Sequence, residues 1–398
     1  MKRIRLYPTK EQKLLLMKLF DANRWAYNRV VAAYGDRIYT KEGTMKSALT
    51  NEIRCFVKKG GTNADILREY NYDNIPEEVF DSAFRDVLKA RRSALANAKN
   101  NKLKLSNKLA FRRKNACSAS IEIRARSLNT KTPCTVQFWK KYFECSPLVK
   151  TKEPLPDEIA YSCRLQRERT GRYYLCIPYH REIDDSVMTG KMAALDPGVR
   201  TFQTLYEPDC TIEFGTNPDV LETRLNIVQK LRERLSTSLG RKFRRTRQRL
   251  RREILNIHAK VKRMIKDCHH SVSAFLSQTY DTIFIPEFQS KRMVQKKNVQ
   301  KRSVLARKTC RAMMTWSHYS FRTLLRQKMQ LRGKQCPLEL TEEYTSKTCT
   351  RCGRINHALG GNKVFKCPSP TCAYTIDRDV NGARNILMKS LATFECVL

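Results

Sequence analysis

The chain has 398 residues, 41% of them hydrophobic, which indicates a globular protein of two or three structural units. It holds 78 Lys and Arg against 38 Asp and Glu, which gives a net charge of +40. Charges of one sign repel one another in a compact fold, so a large polyanionic partner is the best explanation of this excess. A cationic surface without a partner is the alternative. The cations are spread along the chain, which argues against membrane binding through one amphipathic helix.

The first predicted elements are a strand and two helices. Residues 2–7 alternate charged and apolar side chains, as in a half-buried strand, and Thr9 can cap a helix that begins at Lys10. The predicted inward face of this helix is Leu15, Leu19, Ala22, Ala26 and Val30. A second helix is predicted over residues 77–98, with an inward face of Val79, Ala83, Val87 and Leu88.

Strands are predicted next. Short alternating or β-branched runs between Ala119 and Pro178 indicate a small antiparallel sheet or barrel, and the Thr-Gly-Arg sequence at 170–172 is typical of a hairpin turn. Residues 191–206 predict two strands around a Pro-Gly turn, and residues 211–214 predict a third.

One long helical region is predicted over residues 217–280, followed by a buried strand over 281–288 and a further helix that contains Trp316. Residues 241–252 are too densely cationic to be balanced by salt bridges within the helix, so we interpret them as a phosphate-binding surface, with a merely solvated face as the alternative. The cations are Arg241, Lys242, Arg244, Arg245, Arg247, Arg249, Arg251 and Arg252.

Three carboxylates stand at the ends of predicted elements: Asp196, Glu287 and Asp379, with Asp377 beside the last. A carboxylate that closes an apolar strand is poorly solvated and needs a compensating positive charge, which a metal ion supplies. Two Mg²⁺ ions held by three or four carboxylates can hydrolyse a phosphodiester. Each acid alone is weak evidence, but their combination on a strongly basic chain favours this chemistry.

Four cysteines near the end of the sequence form two closely spaced pairs, Cys349 with Cys352 and Cys367 with Cys372. Four thiolates bind Zn²⁺ tetrahedrally and leave no open position, so we predict one structural zinc. His357 is an alternative ligand, and four unrelated reduced cysteines are the remaining alternative. The other cysteines show no paired spacing, and no run approaches the roughly 18 apolar residues of a membrane span, so we expect an intracellular, reducing location.

Five segments occur in an order that resembles the TnpB/Fanzor family of transposon-associated, RNA-guided DNA endonucleases. They are ALDPGVRTF at 194–202, IPEF at 285–288, TWSHYSFRTLL at 315–325, SKTCTRCG at 346–353 and DRDVNGARNI at 377–386. The N-terminal RIRLYPTKEQKLLLMKLFDANRWAYN is also similar. TWSHYSF and the widened CPSPTC spacing most resemble the Fanzor branch of eukaryotes and their viruses.

The resemblance implies an α+β multidomain protein with a RuvC nuclease of RNase H-like fold and a zinc ribbon inserted before its last motif. Asp196, Glu287 and Asp379 would then bind magnesium, with Asp379 preferred to Asp377. The implied domains are a wedge β-barrel (1–10 and 101–185), a helical recognition lobe (11–100), the first two RuvC motifs (186–344), a nucleic-acid-binding zinc ribbon (345–376) and the last RuvC motif (377–398).

The implied partners are a guide (omega) RNA and a double-stranded DNA target, bound by one copy of the chain in a ribonucleoprotein that is nuclear if the host is eukaryotic. The function we predict is RNA-guided DNA cleavage beside a short flanking motif. Two alternatives are a nucleic-acid-binding transposon accessory protein without nuclease activity and a recombinase-like transposase that uses the same acids.

Overall fold

A computed structural model of the chain describes two compact units, Met1–His180 and Arg181–Leu398. The described residues are 1–34, 69, 72, 74–101, 109–114, 118–130, 132–140, 148–183, 187–215, 219–294, 307–337 and 343–395. Within these ranges, no helix is both long enough and apolar enough to cross a membrane.

Among its described residues, the first unit combines two helices with one antiparallel sheet around a shared core. Its helices are α1 (Lys10–Tyr34) and α2 (Glu77–Asn101). Its strands are β1 (Lys2–Tyr7), β2 (Ser118–Ile123), β3 (Leu128–Asn129), β4 (Thr135–Phe138), β5 (Val149–Thr151), β6 (Cys163–Glu168) and β7 (Tyr173–Ile177). They pair in the order β2-β6-β7-β1-β5-β4-β3. Among the described residues, the predicted order of strand, helix, helix and sheet is therefore confirmed.

Helix α1 begins where the sequence predicts. Thr9 Oγ1 accepts a hydrogen bond from the Gln12 amide at 3.3 Å, and Gln12 Oε1 accepts one from the Thr9 amide at 2.9 Å, which makes a reciprocal cap. The predicted inward face is correct except at Leu15, which is exposed. Leu16 is buried instead, because the buried row runs through residues 16, 19, 26 and 30 at helical spacing.

The second unit contains a four-stranded mixed sheet, two short ribbon strands and six helices among its described residues. Its strands are β8 (Met192–Pro197), β9 (Gln203–Tyr206), β10 (Thr211–Phe214), β11 (Thr282–Phe284), β12 (Val364–Lys366) and β13 (Thr375–Asp377). Its helices are α3 (Asp219–Thr237), α4 (Arg244–Thr279), α5 (Ser290–Val294), α6 (Arg307–Trp316), α7 (His318–Gln330) and α8 (Arg378–Glu395). Strands β8, β9 and β10 are antiparallel neighbours, whereas β11 runs parallel to β8.

The four-stranded sheet is covered by helices on both faces. Because side chains alternate along a strand, Ala193 and Leu195 of β8 pack toward α4 and α7. Ala194 faces the other side, where it joins Phe284 of β11 and Ile386 of α8 in a smaller core. Asp196 has the same parity as Ala194, so the strand directs it toward α8.

Three sequence predictions need correction in this unit. The helical region over 217–280 is two helices, α3 and α4, and between them Gly240 has a φ of 86°, which a right-handed helix does not allow. The helix around Trp316 is also two helices, because Ser317 adopts a left-handed φ of 53°. The strand predicted to end in Glu287 ends at Phe284, and Glu287 lies in the following loop.

Candidate functional site

Asp196 touches α8 directly. A Cβ atom added to Gly382 would lie 2.4 Å from Asp196 Oδ2, so glycine allows the helix backbone to approach the carboxylate. Ile386 and Leu387, one turn further on, fix this approach by packing against Ala194 and Phe284. Gly382 escaped the sequence analysis, where Asn-Gly-Ala was only part of a motif.

Asp377 and Asp379 have different surroundings. Asp377 Oδ1 accepts hydrogen bonds from the amides of Asp379 at 2.8 Å and Val380 at 3.4 Å, so it caps α8. Asp379 lies three residues before Gly382, on the same side of the helix. Burial raises the pKa of the Asp379 carboxyl, and the negative charge of Asp377 adds to this effect.

An open cavity of about 520 Å³ has both Asp196 and Asp379 in its wall. Both acids line it, and so do the cationic side chains Arg200, Lys363 and Arg378. The two carboxylates suit a cation, and the surrounding cations suit the phosphates of a nucleic acid.

Glu287 lies beside this cavity and not inside it. It lines an adjoining small cavity, and the two cavities share Pro197 and Phe288 as walls. Its Oε1 is 3.7 Å from Arg322 Nη2 on α7. The side chains of Ile283 and Ile285 belong to the core on the α7 side of the sheet, and the side chain of Glu287 lies on the same side.

The acids therefore fit a divalent metal in part. Asp196 and Asp379 have carboxylate oxygens at one cavity, the ligand type that Mg²⁺ prefers, whereas Glu287 lines the adjoining cavity. Within the described ranges, the single group of three or more His, Cys, Asp or Glu side chains close enough to share an ion is the cysteine group described next.

The four predicted cysteines form one metal-binding cluster. The sulfur atoms of Cys349, Cys352, Cys367 and Cys372 lie within 4.8 Å of one another. Sγ–Sγ distances are 3.9 Å for Cys349–Cys372 and 3.5 Å for Cys352–Cys367. Tetrahedral zinc with Zn–S bonds of about 2.3 Å separates its sulfurs by roughly 3.8 Å, so the cluster fits zinc. His357 is not part of it.

The cysteine cluster is tied to α8 by two asparagines that the sequence analysis missed. Asn381 Nδ2 donates to the Thr348 carbonyl at 2.8 Å, and Asn385 Nδ2 donates to the Thr345 carbonyl at 2.7 Å and to that of Thr348 at 2.8 Å. Strand β13 also leads straight into α8 at Asp377. Asn381 and Asn385 are four residues apart and so lie on one face of a helix, and this spacing was the signal that the sequence offered.

The predicted cationic stretch occupies a short 3-10 turn at Arg241–Phe243 and the start of α4. All eight predicted cations are exposed except Arg247, which is half-buried and donates to the Ser238 carbonyl at 3.4 Å. Helical spacing divides the arginines of α4 into two rows along the helix. The first row is Arg244, Arg247 and Arg251; the second row is Arg245, Arg249 and Arg252. Their guanidinium groups suit phosphate binding.

Three described families match parts of the chain. Residues 1–43 match a "Helix-turn-helix domain", residues 175–298 match a family described as "Probable transposase" of the OrfB_IS605 type, and residues 318–386 match "Cas12f1-like, TNB domain". The last match contains all four clustered cysteines.

Several proteins are similar to the chain along most of its length. "Putative transposase A625R" of Paramecium bursaria Chlorella virus 1 is 29% identical, covering 98% of this chain and 87% of the viral protein. "TnpB-like protein L79" of Acanthamoeba polyphaga mimivirus is 27% identical, with coverages of 98% and 73%. A "Putative RNA-guided DNA endonuclease" of Streptomyces pristinaespiralis is 26% identical, with coverages of 98% and 89%. A cryo-EM structure of a Cas12f1-sgRNA-target DNA complex matches with a TM-score of 0.49 at 13% identity, covering 95% of this chain and 83% of that one.

Proposed function

Because the chain is a TnpB/Fanzor-like protein, we propose that it is an RNA-guided DNA endonuclease that cuts its target beside a short flanking motif. The observation that carries the proposal is that Asp196 and Asp379 line one cavity together with Arg200, Lys363 and Arg378. The Streptomyces relative, named for this activity, supports it. Similarity to proteins of two viruses supports the Fanzor branch.

A RuvC nuclease of RNase H-like fold is the proposed identity of the second unit. Three antiparallel strands followed by a fourth that runs parallel to the first are the arrangement expected of such a fold. Asp196 lies near the end of the first of these strands, and a helix that follows the cysteine cluster supplies Asp379. The cluster is proposed to hold one structural zinc. The wedge and recognition-lobe roles of the first unit also stay proposals.

In the proposed mechanism, the chain's own residues bind and orient a phosphodiester. Arg200, Lys363 and Arg378 attract the phosphate backbone to the cavity, where Asp196 and Asp379 stand beside it. Two Mg²⁺ ions, held by these acids with Glu287, would supply an activated water and stabilise the leaving oxygen. Capping by Asp377 keeps the first turn of α8, and with it Asp379, in place.

Guide exchange tests the proposal. The full chain should purify with one structured RNA of defined sequence, and replacing about twenty nucleotides at its unpaired end should redirect cleavage to the new complementary site. If RNA-free protein cuts equally well, or the cut site ignores the guide, RNA guidance is wrong. The alternative is then a recombinase-like transposase, which the name of the viral relative favours. Detection of joined DNA strands would support this alternative.

A further inference from the structure

A small cavity lies between the strand that carries Asp196 and the loop that carries Glu287. Its volume is about 20 Å³, and its wall includes Pro197, Gln203, Glu287, His318 and Arg322. A cavity of this size accommodates about one water molecule.

Three side chains that line this cavity each carry a buried polar atom without a hydrogen-bond partner among the described residues: His318 Nε2, Gln203 Oε1 and Arg322 Nη1. Gln203 is 0% exposed and His318 is 3% exposed, so bulk solvent does not reach them. Buried polar atoms in native proteins are satisfied by protein groups or by ordered water. The cavity beside these three atoms therefore has the chemistry of a water site.

The hydrogen-bonding roles of these atoms are complementary. If the Gln203 amide nitrogen donates across the 3.3 Å to His318 Nδ1, then Nδ1 accepts and a neutral ring carries its proton on Nε2. Burial, with His269 adding to it, lowers the pKa of His318 to about 4 and outweighs the opposite effect of the Gly198 carbonyl. In that tautomer, His318 Nε2 and Arg322 Nη1 are donors and Gln203 Oε1 is an acceptor.

The cavity also adjoins the two acid-bearing segments. Gln203 of β9 pairs with Pro197, the residue after Asp196. His318 and Arg322 stand one turn apart on α7, where the His318 ring packs 4.6 Å from the Phe288 ring and Arg322 pairs with Glu287. A molecule held in the cavity would link all of these groups.

We propose that this cavity binds one ordered water molecule, through which His318 positions the Glu287 carboxylate. The water accepts hydrogen bonds from His318 Nε2 and Arg322 Nη1 and donates to Gln203 Oε1 and Glu287. His318 is a positioning residue, because it acts through the water. The effect on cleavage rests on the proposed nuclease function, whereas the water site does not.

Diffraction tests the water site directly. Crystals of the full chain, at a resolution that shows ordered solvent, should contain one water within hydrogen-bonding distance of His318 Nε2 and Gln203 Oε1. An empty cavity, or side chains that pair with each other directly, would overturn the proposal.

The positioning role is tested with His318→Phe, which removes the donor, and His318→Gln, which keeps an N–H donor. His318→Phe should raise the Mg²⁺ concentration for half-maximal cleavage about 10-fold or more, with RNA and DNA binding unchanged. His318→Gln should restore much of the loss, and His270→Phe, at an exposed histidine, is the control.

Folding is checked by thermal unfolding. If His318→Phe does not fold, the Mg²⁺ dependence of His318→Gln tests the positioning role, and the water density in the wild-type crystal tests the water site. A folded His318→Phe with wild-type Mg²⁺ dependence would overturn the positioning role. If the cavity holds a water molecule but the protein cuts no DNA with any guide, the proposed function is wrong and the water site is still supported.

Discussion

Asp377 and Asp379 are two residues apart, yet one caps α8 and the other lines the cavity with Asp196. Exchange for asparagine separates these roles, because asparagine still caps a helix but loses the charge. We expect Asp379→Asn to abolish Mg²⁺-dependent cleavage and Asp377→Asn to retain most of it. Cutting and nucleic-acid binding should be measured on the same preparation.

Asp196→Ala and Glu287→Ala are expected to abolish cleavage as well, while nucleic-acid binding persists. If Asp377→Asn abolishes cutting and Asp379→Asn does not, the choice between the two aspartates was wrong.

Gly382 offers a second test at the residue scale. In an ordinary helix, Gly→Ala stabilises by about 1 kcal/mol, but here the new methyl group would meet Asp196 Oδ2. We expect Gly382→Ala to displace the carboxylate and to lower the cleavage rate about 100-fold. The rate and the thermal midpoint should be compared with those of Ala392→Ser, a change of similar size at an exposed position on the same helix. An unchanged rate would show that the contact is irrelevant to catalysis.

Among the elements, the cysteine cluster is joined to α8 by hydrogen bonds, since Asn381 and Asn385 donate to carbonyls of the cluster's first loop. We expect about one Zn²⁺ per chain, and its loss in Cys349→Ser/Cys352→Ser, with a fall in cleavage because the start of α8 loosens. Elemental analysis and cleavage assays measure both effects, with Cys134→Ser, at an exposed cysteine, as the control. Full zinc retention in the double variant would refute the ligand assignment.

Elements with local signals were predictable from the sequence. The cap at Thr9, the hairpin at Gly171 and the cysteine spacing each depend on residues close together in the chain. Glu287 was placed wrongly at a strand end, because where β11 stops depends on its pairing with β8. Gly382 and Asn381 were missed because their importance depends on partners that are distant in sequence, Asp196 and Thr348.

For the whole molecule, the net charge of +40 predicts a strong dependence of nucleic-acid affinity on salt. Replacing the second arginine row, Arg245, Arg249 and Arg252, with glutamine should reduce the slope of log affinity against log salt by up to about 3 units. Binding titrations at several salt concentrations measure the slope. The same triple exchange to lysine keeps the charge and should keep the slope, so an unchanged slope in the glutamine variant would exclude this row from the interface.

At this scale the ordered motifs indicated the family, whereas the polyanionic partner predicted from charge and composition stays a prediction. These signals did not reveal that α1 and α2 share one core with the sheet of the first unit, because such packing joins side chains from separate segments.

The approach of α8 to Asp196 also sets an order of events during protein synthesis. The arginine rows of α4 leave the ribosome before β11 can pair with β8, and α8, which carries Asp379, is the last described element to emerge. Domains fold as they are made, from the N-terminus onward. In a growing polypeptide, Asp379 can therefore take its place in the cavity wall with Asp196 only after α8 has docked on its sheet.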